Sequence, residues 1–306
     1  MAETAEDARA AEFEEHRSRL FSLAYRMLGS AVEAEDAVQD AYLRWRAADR
    51  AAVRVPAAWL TRVCANLCLN RLTSARAVRE SYVGPWLPEP VLTGGLPVGA
   101  HPALDPLETA EQRDTVSLAL LTLMERLTPA ERAVFVLREA FAYPHAEIAG
   151  ILDITEGGSR QLHRRARDRV AEERRRFDPS RDHWRAVVER FLDAARGGDI
   201  DRLKSLLAED ATAWSDGGGR VTAARRPVSG ADRVARLLAG FLRHAGPEHA
   251  ITIEEVNGFP AVVAAVDGRP VAVLVLEVGG GRVLSVRTVV NPDKLAPIAG
   301  QFAARG

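Results

Sequence analysis

The sequence contains little cysteine and no long apolar run. Its two cysteines, Cys64 and Cys68, lie one helical turn apart with no set of His or Cys residues nearby. We therefore expect two packed thiols, with no disulfide framework, no metal site and no cofactor. No stretch approaches the roughly 18 uninterrupted apolar residues of a membrane-spanning helix. The acidic, alanine-rich start has no signal-peptide core, so we expect a cytoplasmic protein with no membrane partner.

A strong excess of charge of one sign is also missing. The chain has 41 basic and 42 acidic residues, and its net charge is -1. This balance argues against a uniformly basic nucleic-acid binder. The basic residues are unevenly placed, however, because eight arginines and three acidic residues fall between Arg160 and Arg176. Such a local excess can attract phosphate while the whole chain stays nearly neutral.

The length of 306 residues and the hydrophobic content of 47% favour two or three compact units. Residues 1–80 are predicted to be helical, and residues 81–110 form a linker that is rich in proline and glycine. Residues 111–178 are predicted to be helical again. Residues 179–306 make the last unit, because Pro179 interrupts the preceding helix.

The last unit combines helical and strand patterns. Two amphipathic helices are predicted, from His183 to Arg196 and from Ile200 to Glu209. Three apolar runs follow, separated by Asp267-Gly268 and by Gly279 to Gly281. This pattern predicts antiparallel strands joined by hairpins, and hence a small α+β domain.

Two helices near the N-terminus each carry a polar face beside a buried one. In the first helix this face is acidic or amide, and it can accept arginine from a partner protein. In the next helix Arg62, Asn66, Asn70 and Thr73 recur at helical spacing, a composition that can contact bases and phosphates. In both helices, an ordinary solvated face is the alternative. The first face consists of Glu35, Asp36, Gln39 and Asp40.

Residues 128–176 carry the most specific pattern of the chain. Thr128, followed by Pro129 and Glu131, predicts a capping box. A short helix, a turn at 153–155 and a longer arginine-rich helix capped by Thr155 then predict a helix-turn-helix, whose second helix can enter a major groove. An ordinary arginine-rich hairpin is the alternative. The residues predicted to face outward are Glu156, Ser159, Arg160, His163, Arg164 and Arg167.

These motifs resemble those of the extracytoplasmic-function sigma factors of bacterial RNA polymerase. AEDAVQDAYLRW resembles region 2.2, PAAWLTRVCANLCLNRL resembles regions 2.3 and 2.4, and LTPAERAVFVLREAF with the helix-turn-helix resembles region 4. YVGPWLPEP, DGGGR and NPDKL are similar to motifs of the subgroup that ends in a SnoaL-like domain. Two features depart from the pattern: Asp153 in the turn, and Gly157-Gly158 at the start of the second helix. The resemblance implies two all-α sigma domains followed by an α+β SnoaL-like (NTF2-like) domain.

The resemblance also implies roles for particular residues. The acidic face would bind core RNA polymerase (β′ and β subunits), through the coiled coil of β′. Two other sets would contact promoter DNA. The minus-10 set is Arg62, Asn66, Asn70, Arg71 and Arg76, and the minus-35 set is the outward-facing group from Glu156 to Arg167. A regulatory set would join the linker to the last domain: Trp86, Pro88, Asp216, Gly217, Gly218, Gly219, Arg220, Asn291, Asp293 and Lys294.

The last domain shows no convincing catalytic pattern. Asp216, Asp267, His244 and His249 can titrate, but their surroundings resemble turns or helix ends, so we expect surface roles and no enzymatic activity. In line with the resemblance, we predict instead that this domain regulates the protein in cis, by clamping the two DNA-binding domains. Whether this domain binds a small ligand in its interior is left open by the sequence. The alternatives are a stand-alone helix-turn-helix regulator, and a SnoaL-like enzyme with a DNA-binding appendage.

Overall fold

The computed structural model describes residues 2–94, 115–174, 181–243, 246 and 248–305. The described chain forms two units. The first contains the helices of residues 2–80 and 115–172, and the second contains residues 81–94 and 181–305. The predicted ends of the linker and of the second helical domain, at positions 110 and 178, lie outside the described residues, as does His244.

The described part of the first unit is entirely helical. A short 3₁₀ turn at Arg50–Ala52 precedes its third helix. The helices are α1 (Ala2–Leu28), α2 (Ala31–Ala47), α3 (Pro56–Glu80), α4 (Leu118–Met124), α5 (Pro129–Glu139), α6 (His145–Leu152) and α7 (Glu156–Arg174).

Local caps define the starts of several of these helices. The Ser30 hydroxyl accepts the Glu33 amide at the start of α2. At α5 the predicted capping box is present, because Thr128 Oγ1 accepts the Glu131 amide while a Glu131 carboxylate oxygen accepts the Thr128 amide. Each such cap stabilises a helix by about 1 kcal/mol. Cys64 and Cys68 are buried free thiols on α3.

The helix-turn-helix consists of α6, the turn at 153–155 and α7. Asp153 ends α6 with φ 56°, in the left-handed region. Aspartate tolerates this region better than most residues, so the departure from a small residue leaves the turn intact. Thr155 Oγ1 accepts the Gly158 amide at 3.0 Å. This cap offsets part of the cost of Gly157 and Gly158, which is about 1 kcal/mol for each glycine inside a helix.

The second unit packs helices against a mixed sheet. The helices are α8 (Arg181–Arg196), α9 (Ile200–Leu206), α10 (Ala231–Arg243) and α11 (Pro292–Ala303). The strands are β1 (Leu207–Asp216), β2 (Val228–Ser229), β3 (His249–Val256), β4 (Phe259–Val266), β5 (Arg269–Gly279) and β6 (Arg282–Val289).

The strand order is β2-β1-β6-β5-β4-β3, with β1 parallel to β6 and the other neighbours antiparallel. The predicted hairpins are confirmed, since Asp267 and Gly268 have φ 49° and 75°, as a tight two-residue turn requires. The prediction of a helix from Ile200 to Glu209 is wrong in its last turn. Leu207 already belongs to β1, where Leu207, Ala211 and Ala213 are buried against the helices.

The core of the second unit lies between the sheet and helices α8, α9 and α10. It includes Phe191, Leu203, Leu238, Leu276 and Val286, each at most 1% exposed. Helix α11 packs against β5. Residues 91–93 lie beside the β3–β4 turn, where Thr93 donates to the Glu255 carbonyl at 2.9 Å and Asn257 donates to the Val91 carbonyl at 2.9 Å. This part of the predicted linker is therefore built into the second unit.

None of the described helices is long and apolar enough to cross a bilayer.

Candidate functional site

The acidic face predicted on α2 is paired with arginines of the same unit. Arg17 Nη2 lies 2.7 Å from Glu35, and Arg71 lies 2.7 Å from Asp40 and 3.7 Å from Asp36. The carboxylates remain 36 to 57% exposed, and Gln39 is exposed beside them. The face thus combines accessible carboxylates with two arginines that fix their positions.

Arg71 was predicted to contact the minus-10 element. In the structure its guanidinium points to α2, so it belongs to the acidic face. Arg62 and Asn70 are exposed on α3 as predicted, while Asn66 is half-buried. The side chain of Arg76 lies outside the described part of the structure.

The polar face of α3 packs against the helix-turn-helix. Asn66 Nδ2 donates to the Ile151 carbonyl at 3.3 Å, and the hydroxyl groups of Thr61 and Tyr143 lie 3.3 Å apart. A buried arginine, Arg132, also donates to the Arg26 carbonyl of α1. Sequence reasoning missed this contact between the two helical groups, because periodicity shows that a face is polar but not what covers it.

The outer face of α7 is arginine-rich, but two predicted members turn inward. Glu156, Arg160, Arg164 and Arg167 are exposed. Ser159 is fully buried, so the prediction that it faces outward is wrong. His163 is also wrongly placed outward, since its side chain is 12% exposed and its Nε2 lies 2.7 Å from a Glu139 oxygen.

Ser159 is buried because it joins the two helices of the motif. Its hydroxyl lies 2.9 Å from His145 Nδ1, at the start of α6. The rings of His145 and His163 are 5.4 Å apart. Burial, and then the nearby charges of His163 and Arg138, lower the pKa of His145 below its usual value. A positive charge on His145 is therefore unfavourable in the folded motif.

The regulatory set predicted from the linker and the two C-terminal motifs meets at one buried carboxylate. Asp216 is 0% exposed at the end of β1. It accepts the Tyr82 hydroxyl at 2.6 Å, the Leu87 amide at 2.8 Å and the Lys294 ammonium at 2.7 Å. Lys294 also donates to the Leu87 carbonyl, and Asn291 Nδ2 donates to the Tyr82 hydroxyl. We call these five residues the Asp216 cluster.

Aromatic rings and glycines complete the surroundings of this cluster. The Lys294 ammonium lies 4.1 Å from the centre of the Trp86 ring, and Pro88 is buried. A Cβ atom at Gly218 would lie 2.2 Å from Asn291 Nδ2 and 2.8 Å from the Tyr82 hydroxyl, so only glycine fits there. Burial, and then the hydrogen bond to Asp216, raise the pKa of Tyr82 well above its usual value.

The same two motifs form a second, exposed ion pair. Arg220 Nε lies 3.1 Å from Asp293, and these side chains are 66% and 64% exposed. The expectation of a surface role for Asp216 is wrong, because its turn is covered by the linker. Sequence reasoning also missed Tyr82 and Leu87. The aromatic residue at the start of the YVGPWLPEP motif was the available signal for Tyr82.

A cavity of about 200 Å³ lies in the second unit between α8, α10 and strands β3 to β6. Its described lining is largely apolar and includes Phe191, Phe241 and Ile251. His249 is the only ionisable side chain among the described lining residues. Asp267 is exposed in its hairpin turn, as expected.

Three family models match the chain in the order of these features. Sigma-70 region 2 matches residues 13–78, Sigma-70 region 4 matches residues 117–170, and the SnoaL-like domain matches residues 188–291. The first match covers the acidic face and nearly all of α3, and the second covers the helix-turn-helix up to residue 170 of α7. The third covers all six strands of the mixed sheet.

Two relatives match the chain over nearly its whole length. The chain is 38% identical over 294 residues to the ECF RNA polymerase sigma factor SigJ of Mycobacterium tuberculosis, covering 92% of each chain. It is 33% identical to the probable ECF sigma factor SigI of that organism, over 97% of this chain and 98% of the relative. The crystal structure of SigJ superposes with a TM-score of 0.75 at 36% identity, over 94% of this chain and 98% of SigJ. The chain therefore belongs to the extracytoplasmic-function RNA polymerase sigma factors that carry a C-terminal SnoaL-like domain.

Proposed function

We propose that this sigma factor binds core polymerase through the acidic face of α2, reads the two promoter elements with α3 and α7, and is regulated in cis by its C-terminal domain. The Asp216 cluster is the observation that carries the regulatory part. The separate faces of the first unit support the rest.

The acidic face is suited to a basic surface of the polymerase, for which we propose the β′ coiled coil, with β as a further contact. Arg17 and Arg71 hold the carboxylates in place, and more than a third of each carboxylate side chain stays exposed. A partner arginine can therefore bind without first ordering these side chains, which reduces the entropic cost of association. Charge complementarity of this kind also raises the association rate.

On the helix-turn-helix, we assign minus-35 recognition to the exposed residues Glu156, Arg160, Arg164 and Arg167. The first turn of α7 can present Glu156 and Arg160 to base edges, and the later arginines suit phosphates. Ser159 and His163 position α7 against α5 and α6 rather than contacting DNA.

The polar face of α3, to which we assign the minus-10 contacts, packs against α6 in a closed conformation of the first unit. Asn66, which we assign to minus-10 contact together with Arg62 and Asn70, donates to a carbonyl of α6. Its Nδ2 also donates to the Arg62 carbonyl at 2.9 Å, so both N–H groups of this amide are engaged and neither can donate to a base in this conformation. We therefore propose that promoter binding requires α3 and α6 to separate, and that any contact favouring the closed form reduces activity.

The Asp216 cluster gives the C-terminal domain control of the chain between the two DNA-binding groups. Residues 81–114 can span at most about 120 Å when fully extended. With residues 82–93 held by the second unit, residues 95–114 span at most about 70 Å. Holding the linker thus restricts how far α4 to α7 can move from α3. Since both promoter elements must be bound together, this restriction regulates initiation.

We also propose that the C-terminal domain has no catalytic role. Among the described residues that line its cavity, His249 is the one ionisable group, and its Nδ1 already lies 3.3 Å from an oxygen of the exposed Glu248 carboxylate. The Asp216 carboxylate is already engaged by Tyr82, Leu87 and Lys294.

Run-off transcription with core polymerase tests the function. The full chain should initiate at its own promoter, and its Asp36→Ala/Asp40→Ala variant should lose co-purification with core polymerase. Glu209→Gln, an exposed acid of the second unit, is the control and should retain it. Unchanged binding by the double variant would contradict the assigned face.

A chain ending at Pro179 and the full-length Asp216→Asn variant test the regulation. Both should change the ratio of initiation at promoters whose two elements are differently spaced. Equal ratios for all three proteins would contradict control by the C-terminal domain.

A further inference from the structure

The cavity of the second unit has the size of a small-molecule site. An engineered apolar cavity of about 150 Å³ accommodates benzene, whereas drug-sized ligands occupy about 300 to 1,000 Å³. The cavity of about 200 Å³ falls between these values. It therefore fits a single ring with one or two substituents, or a short branched chain.

The lining selects for an uncharged ligand with one polar group. Burying an unpaired charge is strongly unfavourable, and the one ionisable group of the described lining, His249, already lies 3.3 Å from the Glu248 carboxylate. Two polar side chains, His249 and Thr288, interrupt the apolar surface. His249 Nδ1 lies 3.3 Å from a Glu248 oxygen, without the geometry of a hydrogen bond. One hydroxyl or carbonyl group on the ligand can hydrogen-bond to the Thr288 hydroxyl or to the His249 ring.

The cavity and the Asp216 cluster share the end of one strand. Thr288 and Val290 line the cavity at the end of β6. The backbone amides of Val290 and Asn291 both donate to the Asp216 carbonyl at 2.9 Å. Asn291 in turn binds the Tyr82 hydroxyl. Ordering of this strand end by a ligand therefore acts directly on residues that hold the linker.

We propose that the cavity binds a small, uncharged, largely apolar molecule carrying one hydroxyl or carbonyl group, and that occupancy strengthens the hold of the Asp216 cluster on the linker. The domain then works as a sensor whose ligand biases the sigma factor toward its restrained form. The second half of this proposal rests on the regulatory function proposed above, whereas the binding half does not.

The binding half is tested with the full chain and three probes of similar size: phenol, toluene and benzoate. Phenol should bind with a stoichiometry of one by calorimetry, and benzoate at least about tenfold more weakly because its charge has no partner. His249→Phe keeps a ring but removes the hydrogen bond, so it should weaken phenol by about three- to tenfold and leave toluene unchanged.

A filled cavity provides the second variant. Ala264→Phe places a ring in the cavity and should abolish binding of phenol and toluene. Ala250→Phe is the control, because Ala250 is an exposed residue of the neighbouring strand β3 and does not line the cavity. This variant should bind phenol and toluene as tightly as the parent chain. Failure of phenol to bind the parent, or full binding by Ala264→Phe, would overturn the proposal. If Ala264→Phe does not fold, the phenol-to-toluene ratio of His249→Phe decides.

The coupling half is measured by hydrogen exchange. Saturating phenol should slow exchange of the Leu87, Val91 and Thr93 amides, which are hydrogen-bonded within the second unit. Phenol that binds without slowing these amides would refute the coupling and leave the binding site standing. If phenol slows these amides but leaves initiation by the full chain unchanged, the regulatory function fails while the sensor site stands.

Discussion

Replacing Asp216 by asparagine should release the linker from the second unit. The variant keeps the shape of the side chain but leaves the Lys294 ammonium, whose side chain is 8% exposed, without its counter-ion. Removing one partner of a buried ion pair costs about 3 to 5 kcal/mol. The hydrogen bonds from Tyr82 and Leu87 also weaken, because an amide oxygen is a poorer acceptor than a carboxylate.

Hydrogen exchange of the full chain measures this loss locally. When the open state exchanges from equilibrium, 3 to 5 kcal/mol corresponds to exchange of the linker amides that is faster by about 150- to 5,000-fold. The Leu87 amide, which donates to Asp216, should show the full effect. Amides of α2 in the first unit should keep the parent rate and serve as the internal reference.

The exposed ion pair of the same motifs is the matched control. Arg220→Ala should change linker exchange by less than about fivefold, since exposed pairs contribute 0 to 1 kcal/mol. The double variant Asp216→Asn/Lys294→Met removes both buried charges and should recover much of the loss. If Asp216→Asn behaves like Arg220→Ala, the buried ion pair does not hold the linker on the second unit.

Three further results are expected in the helix-turn-helix. Ser159→Ala should destabilise the first unit by about 1 to 3 kcal/mol in denaturant unfolding, because His145 Nδ1 loses its buried partner, while minus-35 affinity per folded molecule stays unchanged. Arg164→Ala should instead change the free energy of unfolding by no more than about 0.5 kcal/mol and weaken binding of a minus-35 duplex, measured by fluorescence anisotropy. The slope of log affinity against log salt concentration should become smaller by about one, and an unchanged slope would exclude Arg164 from the residues that contact phosphate. Because the pKa of His145 is lowered in the folded protein, the unfolded chain binds a proton at His145 more readily as the pH falls below about 6.5. The free energy of unfolding should therefore decrease with acidification below that pH, and it should decrease less in His145→Asn. Equal pH dependence of the two proteins would contradict this.

Local signals in the sequence account for most of the fold. The capping box at Thr128 and Glu131 and the hairpin turn at Asp267-Gly268 depend on neighbouring residues, and both were predicted correctly. The first strand was partly mistaken for helix, because the alternation of buried residues in β1 is set by its partner β6, more than seventy residues away. Periodicity carries no information about such a parallel pairing.

In the candidate sites, too, the local features were predictable from the sequence and the contacts between distant residues were not. The acidic face and the arginines of α7 follow from helical spacing. Ser159 does not, since its position on the polar side of the helix concealed its bond to His145. Burial of Asp216 depends on Lys294 and the linker, which lie far from it in sequence. Only the resemblance of the three motifs brought these residues together in advance.

The distance along the chain between the linker and its lysine also orders events during synthesis. Leu87 and Lys294, which share a hydrogen bond, are separated by 207 residues. At about 5 to 20 residues per second, a ribosome needs roughly 10 to 40 s to add them. Region 2 and then region 4 therefore emerge and can fold while the linker has no partner. Under the proposed regulation, each newly made chain is therefore unrestrained until Lys294 has been added and the C-terminal domain has folded around the linker.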